Sequence, residues 1–259
     1  MIPQHTPRGP ELYHWAMAQL ENLRSIANCR VLDFSAGEVR RLFALGPAKP
    51  AGSQEDRMQR LMADPGFRLA AVRWGQQVHG RVIASLAAEP GRPLEGAVCV
   101  GRCDALMTAE VEVGLVVWTA DCVPILMHGD GVVAAVHSGW RGSVADVAGA
   151  VVRRFAIEYG VPPQSLRAVL GPAVSGPRYE VSREVIDGLD AFGLDEERWR
   201  RGNHVDLRLF LAARLENLGL EPTAIEIAGP CTASTPELAS YRRDGDGAGR
   251  QWSMIYRTV

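Results

Sequence analysis

The stretch of sequence from 111 to 142 decides the fold, and it reads VEVGLVVWTADCVPILMHGDGVVAAVHSGWRG. Its apolar runs are separated by turn residues and predict β-strands at 112–119, 123–127 and 132–137. The runs Val111–Val117 and Val132–Val136 scarcely alternate between apolar and polar residues. Strands of that kind are covered on both faces. We therefore expect these strands to lie in the middle of the protein, with other elements packed on either side.

A helix is predicted directly after this stretch, over 143–159. The apolar residues that recur at helical spacing on one face are Val144, Val147, Val151 and Phe155. Ser143 is a typical N-cap residue with Asp146 three positions on, and Gly160 is typical of a helix end. Because a helix here would follow the third strand immediately, we expect it to pack on the sheet.

The remainder of the chain continues the mixture of helices and strands. Further helices are predicted at 11–27, at about 54–63, from Ser182 to about Leu189, and from Asp206 to a stop at Gly219. Further strands are predicted at 69–74, 97–100, 167–170, 224–228 and 251–256, and a Gly/Pro-rich loop at 46–54. We find no internal repeat and no linker. The prediction is a mixed α/β (α+β) protein, one domain over 1–259 with mixed β-sheets flanked by helices.

Composition excludes several classes of protein. Lys and Arg total 28 against 30 Asp and Glu, a net charge of −2, whereas nucleic-acid-binding proteins usually show a basic excess. The most apolar region, Val113 to Met127, is interrupted by Asp121 and is too short to span a bilayer. The N-terminus does not resemble a signal peptide, and five scattered cysteines indicate a reducing compartment. We expect a cytoplasmic protein without nucleic-acid or membrane partners.

Three short segments combine metal-ligand side chains with glycine turns or strand ends. They are GQQVHG (75–80), TADCVP (119–124) and AAVHSGWRG (134–142), which contain His79, Cys122 and His137. Two imidazoles and one thiolate form a ligand set for Zn²⁺ with a fourth position open to water or substrate. Their separations of 43 and 15 residues match no compact zinc finger, so the fold must assemble any site. Hydrogen-bonded histidines and a buried, inert cysteine are the alternative.

The motifs, taken in order, resemble the laccase-domain family. Those that carry the resemblance are QVHG, DALMT (104–108), TADCVPIL, AAVHSGWRG, GPAVSGPRYEV (171–181), DLR (206–208), CTAS (231–234) and YRRDG (241–245). The family is also called the multicopper polyphenol oxidase family, and it includes peptidoglycan-editing factors and zinc-dependent purine nucleoside phosphorylases. The resemblance covers 55–259, whereas 1–54 diverges.

The resemblance implies that His79, Cys122 and His137 bind one zinc ion in a cleft and serve in catalysis. It implies a purine nucleoside phosphorylase with adenosine deaminase activity, whose partners are a nucleoside and phosphate. The chain has six histidines, and those at 5, 14 and 204 lie outside the motifs. A blue-copper centre with a three-copper cluster cannot be built from them. A single Cu²⁺ could nevertheless occupy the ligands that we assign to zinc.

Four further residues are candidates for substrate or phosphate binding. Arg141 would bind phosphate, or else pair with Asp121 or Asp146 as a surface residue. Asp121 would orient a ligand histidine, or else cap a turn. Tyr179 would stack on a nucleobase or lie in the core, and Arg242 would bind substrate or join a structural ion-pair cluster.

The chain also departs from the family pattern. The family's N-terminal Phe-Ser-Thr-Arg-like segment corresponds to 42–53, which contains no arginine. Ser175-Gly176-Pro177-Arg178 replaces a Gly-Pro-Cys-Cys-like run. These differences affect the substrate pocket and leave the three metal-ligand residues intact.

Three alternative functions follow from the same residues. The first is a copper oxidoreductase that acts like a polyphenol oxidase. The second is a hydrolase of peptidoglycan precursors in which Cys122 is the nucleophile and His137 its base. The third is an inactive metal-binding module. Each of them, like the phosphorylase, is compatible with a monomer or a small homo-oligomer.

Overall fold

The structure is a computed structural model that describes residues 23–26, 29–46 and 52–259. The strands in these ranges are β1 (Leu23–Ile26), β2 (Cys29–Asp33), β3 (Val39–Ala44), β4 (Ala71–Gln76), β5 (Ile83–Leu86), β6 (Gly96–Arg102), β7 (Ala105–Thr108), β8 (Val113–Thr119), β9 (Val123–Gly129), β10 (Val132–Ser138), β11 (Arg167–Leu170), β12 (Arg200–Arg201), β13 (His204–Val205), β14 (Ile225–Ile227) and β15 (Gln251–Arg257). The α-helices are α1 (Gln54–Met62), α2 (Trp140–Val144), α3 (Val147–Tyr159), α4 (Arg183–Asp190), α5 (Leu207–Asn217) and α6 (Tyr241–Asp244).

Two large sheets pack against each other. The first sheet has the strand order β1-β2-β3-β15-β8-β4-β6, and the second has the order β14-β11-β9-β10-β7-β5. Both sheets are mixed, since β4 runs parallel to β8 while β15 runs antiparallel to β8, and β5 runs parallel to β7 while β9 runs antiparallel to β10. The predicted fold class, mixed β-sheets flanked by helices, is confirmed.

Strand β8 shows how the layers are built. Leu115 and Val117 pack in one buried cluster with Val133 of the second sheet. Val116, on the opposite face of β8, packs instead with Met58 of α1. All seven residues of β8 are buried, as are all seven of β10. The prediction that these strands are covered on both faces is therefore confirmed.

The outer face of the second sheet is covered by helices. Ala134 and Val136 of β10 pack with Val151 and Phe155 of α3 in the largest buried cluster. Helix α5 lies in the same cluster. Val111 precedes β8 and is 39% exposed, so the covered strand begins later than the predicted Val111. The protein is therefore layered, with α1 on the first sheet, the second sheet behind the first, and helices α3 and α5 on the outer face of the second.

The predicted helix over 143–159 is interrupted. Helix α2 begins at Trp140 after Gly139, ends at Val144, and is followed by α3 from Val147. Ser143 is therefore inside α2 rather than at an N-cap, and its buried hydroxyl is hydrogen-bonded to Ser138 at 2.9 Å. Asp146 adopts a left-handed conformation with φ 59°, which ends the first helix and starts the second. The predicted end at Gly160, also left-handed, is confirmed.

The conformation of Asp146 is held by two arginines, one of which is distant in sequence. Arg214 of α5 donates from Nε and Nη2 to the two carboxylate oxygens of Asp146 at 3.0 and 2.9 Å. Arg153 donates to Oδ2 at 3.1 Å. The hydrogen bonds from Arg214 to both carboxylate oxygens fix α5 against the junction of α2 and α3.

Replacing Arg214 with alanine is therefore expected to lower the free energy of unfolding by about 1–3 kcal/mol, because the half-buried carboxylate of Asp146 loses two hydrogen bonds. Urea denaturation measures this change. Arg183→Ala, which breaks a solvent-exposed pair with Asp187, serves as the control and is expected to change stability by less than about 0.5 kcal/mol. Equal effects of the two substitutions would contradict the structural role of Arg214.

The prediction of a helix at 11–27 is wrong for residues 23–26, the part of this range that the structure describes. Residues 11–22 and 27 lie outside the described residues, but Leu23–Ile26 form strand β1, which pairs antiparallel with β2. Backbone pairing at the sheet edge therefore overrides the helical spacing of the apolar residues. The loop 46–54 lies mostly outside the described residues too, and at its end Ser53 caps α1 through the backbone N–H of Asp56.

The other predicted elements are confirmed with shifts of a few residues, among them α1, α4, α5, β4, β6, β11, β14 and β15. A separate search of the described residues for membrane spans finds no helix with the length and apolarity that crossing a bilayer requires.

Candidate metal centre

His79, Cys122 and His137 come together at one end of the two sheets. Their possible ligand atoms, one from each residue, all lie within 4.8 Å of one another. The centroids of the two imidazole rings are 4.9 Å apart, with the ring planes at 75°. His137 is buried, Cys122 is half-buried and His79 is exposed. The cluster is therefore anchored in the core and open to solvent on the side of His79.

The position of each of the three residues is set by the strand that precedes it or contains it. His137 lies in β10, and its neighbour across the pair with β9 is Pro124. Cys122 lies in the turn between β8 and β9. The loop that contains His79 is tied to β8 by Gln77, whose side-chain amide exchanges two 2.7 Å hydrogen bonds with the backbone of Trp118. The fold thus assembles the group from segments 43 and 15 residues apart.

The backbone around the cluster is constrained. His79 has φ 59° and Asp121 has φ 87°, the left-handed region that non-glycine residues seldom adopt. Gly139 approaches so closely that a Cβ atom there would lie 2.7 Å from Sγ of Cys122 and 3.3 Å from Cδ2 of His79. Glycine is therefore required at 139, because any side chain would enter the space around the thiol.

Asp104 organises two of the three ligand residues. Its Oδ1 is 2.9 Å from Nδ1 of His137. Its carboxylate also accepts hydrogen bonds from the backbone N–H groups of His79 at 2.9 Å and Gly80 at 2.8 Å. Asp104 is completely buried. Since Nδ1–H donates to the carboxylate, Nε2 of His137 remains as the ligand atom.

The sequence analysis offered Asp121 as the carboxylate that orients a ligand histidine, or else as the cap of a turn. In the structure Asp104 makes the hydrogen bond to His137, and the hydrogen bonds of Asp121 go to other groups. Its Oδ1 accepts from the hydroxyl of Thr232 and its Oδ2 from the backbone N–H of Arg242, both at 2.5 Å. Asp104 directly precedes β7, which pairs with β10, and this pairing is the signal that could have identified it.

The protonation of the cluster favours a thiolate at Cys122 and an imidazolium at His137, and the imidazolium gives up its Nε2 proton when a metal binds. Burial would raise the pKa of the Cys122 thiol, but hydrogen bonds with His137 and His79, and their charge, lower it to about 6. Burial would lower the pKa of His137, but hydrogen bonds with Asp104 and Cys122 raise it to about 9. The hydrogen bond from His137 also lowers the pKa of Asp104 against the effect of burial. The thiolate that results is the form of cysteine that binds metals.

Arg141 pairs with neither of the carboxylates suggested for it. Its guanidinium lies over the ring of Trp140, 4.1 Å from the centroid. Asp146 is paired with Arg153 and Arg214 instead. The guanidinium of Arg141 makes no hydrogen bond or ion pair with described residues. Its donors are therefore available for an anion, as the prediction that Arg141 binds phosphate requires.

Tyr179 and Arg242 lie together. The guanidinium of Arg242 is 5.0 Å from the centroid of the Tyr179 ring and donates to the backbone carbonyl of Glu180 at 2.9 Å. Tyr179 is half-buried and packs against the helix-side core. Burial and the nearby charge of Cys122 raise the pKa of Tyr179 to about 12, so its hydroxyl stays protonated. Arg243, by contrast, bonds three backbone carbonyls and Asp244, and serves the structure.

The sequence matches the family described as multi-copper polyphenol oxidoreductase laccase over residues 50–258. The chain belongs to this laccase family, and the resemblance found in the motifs is confirmed. It is similar to the purine nucleoside phosphorylase of Deinococcus radiodurans, with 35% identity over 201 residues, 76% of this chain and 74% of the relative. It is also similar to a purine nucleoside phosphorylase of Streptomyces coelicolor, with 37% identity over 215 residues, 80% and 83% of the two chains.

Solved structures show the same fold. The crystal structure of Bacillus licheniformis hypothetical protein YfiH matches with a TM-score of 0.75 at 22% identity, over 89% of this chain and 96% of that one. The crystal structure of YlmD from Geobacillus stearothermophilus matches with a TM-score of 0.68 at 26% identity, over 89% and 92%.

The donors present fit one metal ion rather than several. Within the ranges that the structure describes, His79, Cys122 and His137 are the one group of three or more His, Cys, Asp or Glu residues placed to hold a metal ion. A multi-copper centre needs many more imidazoles than this. The family's descriptive name therefore does not describe the site of this chain.

Proposed function

We propose that this protein is a zinc-dependent purine nucleoside phosphorylase with adenosine deaminase activity. The proposal is carried by the convergence of His79, Cys122 and His137 within 4.8 Å in an opening to solvent. It is supported by the relatives in D. radiodurans and S. coelicolor, which are named purine nucleoside phosphorylases. In the same proposal residues 1–259 form one cytoplasmic domain, a monomer or small homo-oligomer, that binds a small-molecule nucleoside and phosphate.

The donor set supports zinc as the metal. One thiolate and two imidazoles are donors that zinc accepts in tetrahedral sites, and a three-residue set leaves a fourth position open. A bound zinc ion supplies Lewis acidity, which polarises ligand oxygen atoms and makes nearby water more acidic. Asp104 would keep Nε2 of His137 directed at the ion, and the lowered pKa of Cys122 would keep the thiolate available near neutral pH.

Two reactions need different contributions from the protein. In phosphorolysis an oxygen of phosphate bonds to C1′ of the ribose while the bond from C1′ to the purine nitrogen breaks, and the base takes a proton. We assign Arg141 to position the phosphate, because its donors are not used within the described residues. In deamination, water adds oxygen at C6 of adenosine and ammonia leaves.

The remaining substrate contacts are assigned to one border of the opening. Tyr179 and Arg242 lie beside the Cys122 segment, since Asp121 accepts from the backbone N–H of Arg242. We propose that these residues contact the nucleoside, with Asp121 holding the segment in place. The exposed His79 side remains the route by which substrate enters.

Removing the metal is expected to lower turnover of adenosine or inosine with phosphate by at least about 100-fold, because the Lewis acid is lost. Chelation followed by chromatography of nucleoside and free base measures this loss. One equivalent of Zn²⁺ should restore turnover, while the same addition without phosphate should leave inosine intact. Full phosphorolysis by metal-free protein would contradict the proposal, and restoration by Cu²⁺ but not Zn²⁺ would correct the metal.

One observation favours a second function, Cys–His hydrolysis. A thiol with a pKa of about 6 beside an imidazole that a carboxylate orients is also the arrangement of an activated cysteine nucleophile. In that case iodoacetamide would inactivate the freshly purified enzyme, and chelation would not. Stoichiometric zinc that protects Cys122 from alkylation would exclude this alternative, because a metal-bound thiolate is not a free nucleophile.

A further inference from the structure

A cavity of about 330 Å³ is bordered by Arg242, whose backbone N–H donates to Asp121 beside Cys122, and none of the three ligand residues lines it. It is built from segments that are far apart in sequence, which include Pro177, Arg178 and Glu180, His204 of β13, and Arg242 and Arg243 of α6. Its volume falls within the ~300–1,000 Å³ typical of small-molecule sites. The question is which chemistry its lining recognises.

The lining is rich in cations. Arg178, Arg242 and Arg243 all line the cavity, against a single carboxylate from Glu180. The guanidinium of Arg243 is hydrogen-bonded to backbone carbonyls and to Asp244, and these bonds hold α6 in place at the side of the cavity. Arg242 uses Nη2 on the carbonyl of Glu180 and keeps its other donors. Arg178 is exposed, and its guanidinium makes no hydrogen bond or ion pair with any described residue, while its backbone N–H donates to the carbonyl of Ser175.

Two guanidinium groups with free donors on one cavity favour an oxyanion. Their mutual repulsion is relieved when an anion lies between them, and planar guanidinium groups match the oxygen spacing of phosphate. The side chains of Glu180 and His204 add further polar groups to the lining.

A hydrogen bond connects the cavity to the segment that contains Cys122. Asp121 precedes Cys122 and accepts from the backbone N–H of Arg242, while Arg242 lies over Tyr179. The cavity wall at Arg242 is therefore joined by this hydrogen bond to Asp121, which is one residue from Cys122 in sequence.

We infer that this cavity is a phosphoryl-binding site in which Arg178 and Arg242 hold the oxygen atoms. Its ligand is either inorganic phosphate, for which these two residues would take the role assigned above to Arg141, or the 5′-phosphoryl group of a purine nucleotide. The choice of phosphoryl over other oxyanions rests on the proposed function. Arg178 lies where this chain departs from the family pattern, so the site belongs to this chain's own sequence.

Calorimetric titration of the zinc-loaded protein with inorganic phosphate, and separately with inosine 5′-monophosphate, tests the inference. Arg178→Glu is expected to raise the Kd of the bound phosphoryl compound by about 10-fold or more, since it removes a charge-assisted contact and adds a like charge. Arg178→Lys should retain part of the affinity. Arg68→Glu, an exposed arginine away from the cavity, is the matched control and should leave the Kd unchanged.

The two arms identify the source of the phosphoryl group. An effect of Arg178→Glu on phosphate, with competition between phosphate and the nucleotide, indicates a site for inorganic phosphate. An effect on the nucleotide alone indicates a nucleotide substrate. The inference is overturned if neither compound binds the parent protein, or if Arg178→Glu binds both as the parent does. An unchanged unfolding midpoint, expected for an exposed side chain without partners, shows that the variant is folded.

The same variants separate this inference from the proposed function. If nucleosides are phosphorolysed and Arg178→Glu changes neither the KM for phosphate nor the Kd of the nucleotide, the phosphoryl site is wrong and the function stands. If no nucleoside is converted but binding depends on Arg178, the site stands and the proposed function is wrong.

Discussion

Replacing Cys122 with alanine is expected to remove the metal ion and to lower turnover of adenosine with phosphate by on the order of 10²–10³-fold. Cys122 supplies the only thiolate of the cluster, and two histidines alone hold zinc weakly. The half-buried position of Cys122 lets the fold persist without the sulfur atom. Metal analysis by mass spectrometry and chromatographic assay of the same preparation measure both effects.

Cys99→Ala is the matched control for that experiment. Cys99 is an exposed free thiol in β6, away from the cluster, and its loss should change neither metal content nor turnover. Retained zinc together with retained turnover in Cys122→Ala would refute the metal centre. Retained turnover without zinc would refute only the metal dependence.

Replacing Asp104 with asparagine is expected to weaken zinc binding by about 10–100-fold. The amide can still accept one hydrogen bond, but its NH₂ group would face either Nδ1–H of His137 or the backbone N–H of Gly80. Either contact leaves buried donors unsatisfied, so the free energy of unfolding should also fall by about 1–3 kcal/mol. Competition with a chromophoric chelator measures the affinity, and urea denaturation measures the stability.

If Asp104 positions His137, the substitution should also change the imidazole itself, which a general loss of stability would not do. In Asp104→Asn the neutral imidazole of His137 should lose its preferred tautomer, which nitrogen-15 NMR of the zinc-free protein detects at a pH above the pKa of about 9 of this ring. Asp130→Asn, in the exposed turn between β9 and β10, controls for the loss of one negative charge. A fall in stability with unchanged zinc affinity and an unchanged tautomer would show that Asp104 is only structural.

The central strands could be predicted from the sequence because their apolar composition is compatible with few positions other than the core. An apolar run such as Val132–Val136 has no face that can be exposed without loss of hydrophobic stabilisation, so burial on both sides follows. The three ligand residues were identifiable for a related reason, since each lies at a strand end or tight turn in a distinctive motif. Whether they meet depends on strand order, which local patterns do not contain.

The features that local sequence did not predict depend on distant partners. The break at Asp146 is stabilised by Arg214, which lies 68 residues further along the chain. Asp104 reaches His137 only through the pairing of β7 with β10. Leu23–Ile26 pair with β2, and this backbone pairing outweighs the helical spacing of their side chains. In each case a contact across the fold overrides a local preference.

The place of β15 in the first sheet has a consequence for biosynthesis. This strand lies between β3 and β8, yet it is the last strand in chain order. While the ribosome is still making residues 251–257, β8 has no neighbour on that side, and Thr232 and Arg242 have only just been made. The segment with Cys122 therefore acquires all its hydrogen bonds and its neighbouring strand only after residues 251–257 have emerged. We expect the nascent protein to bind its metal after β15 has emerged rather than before.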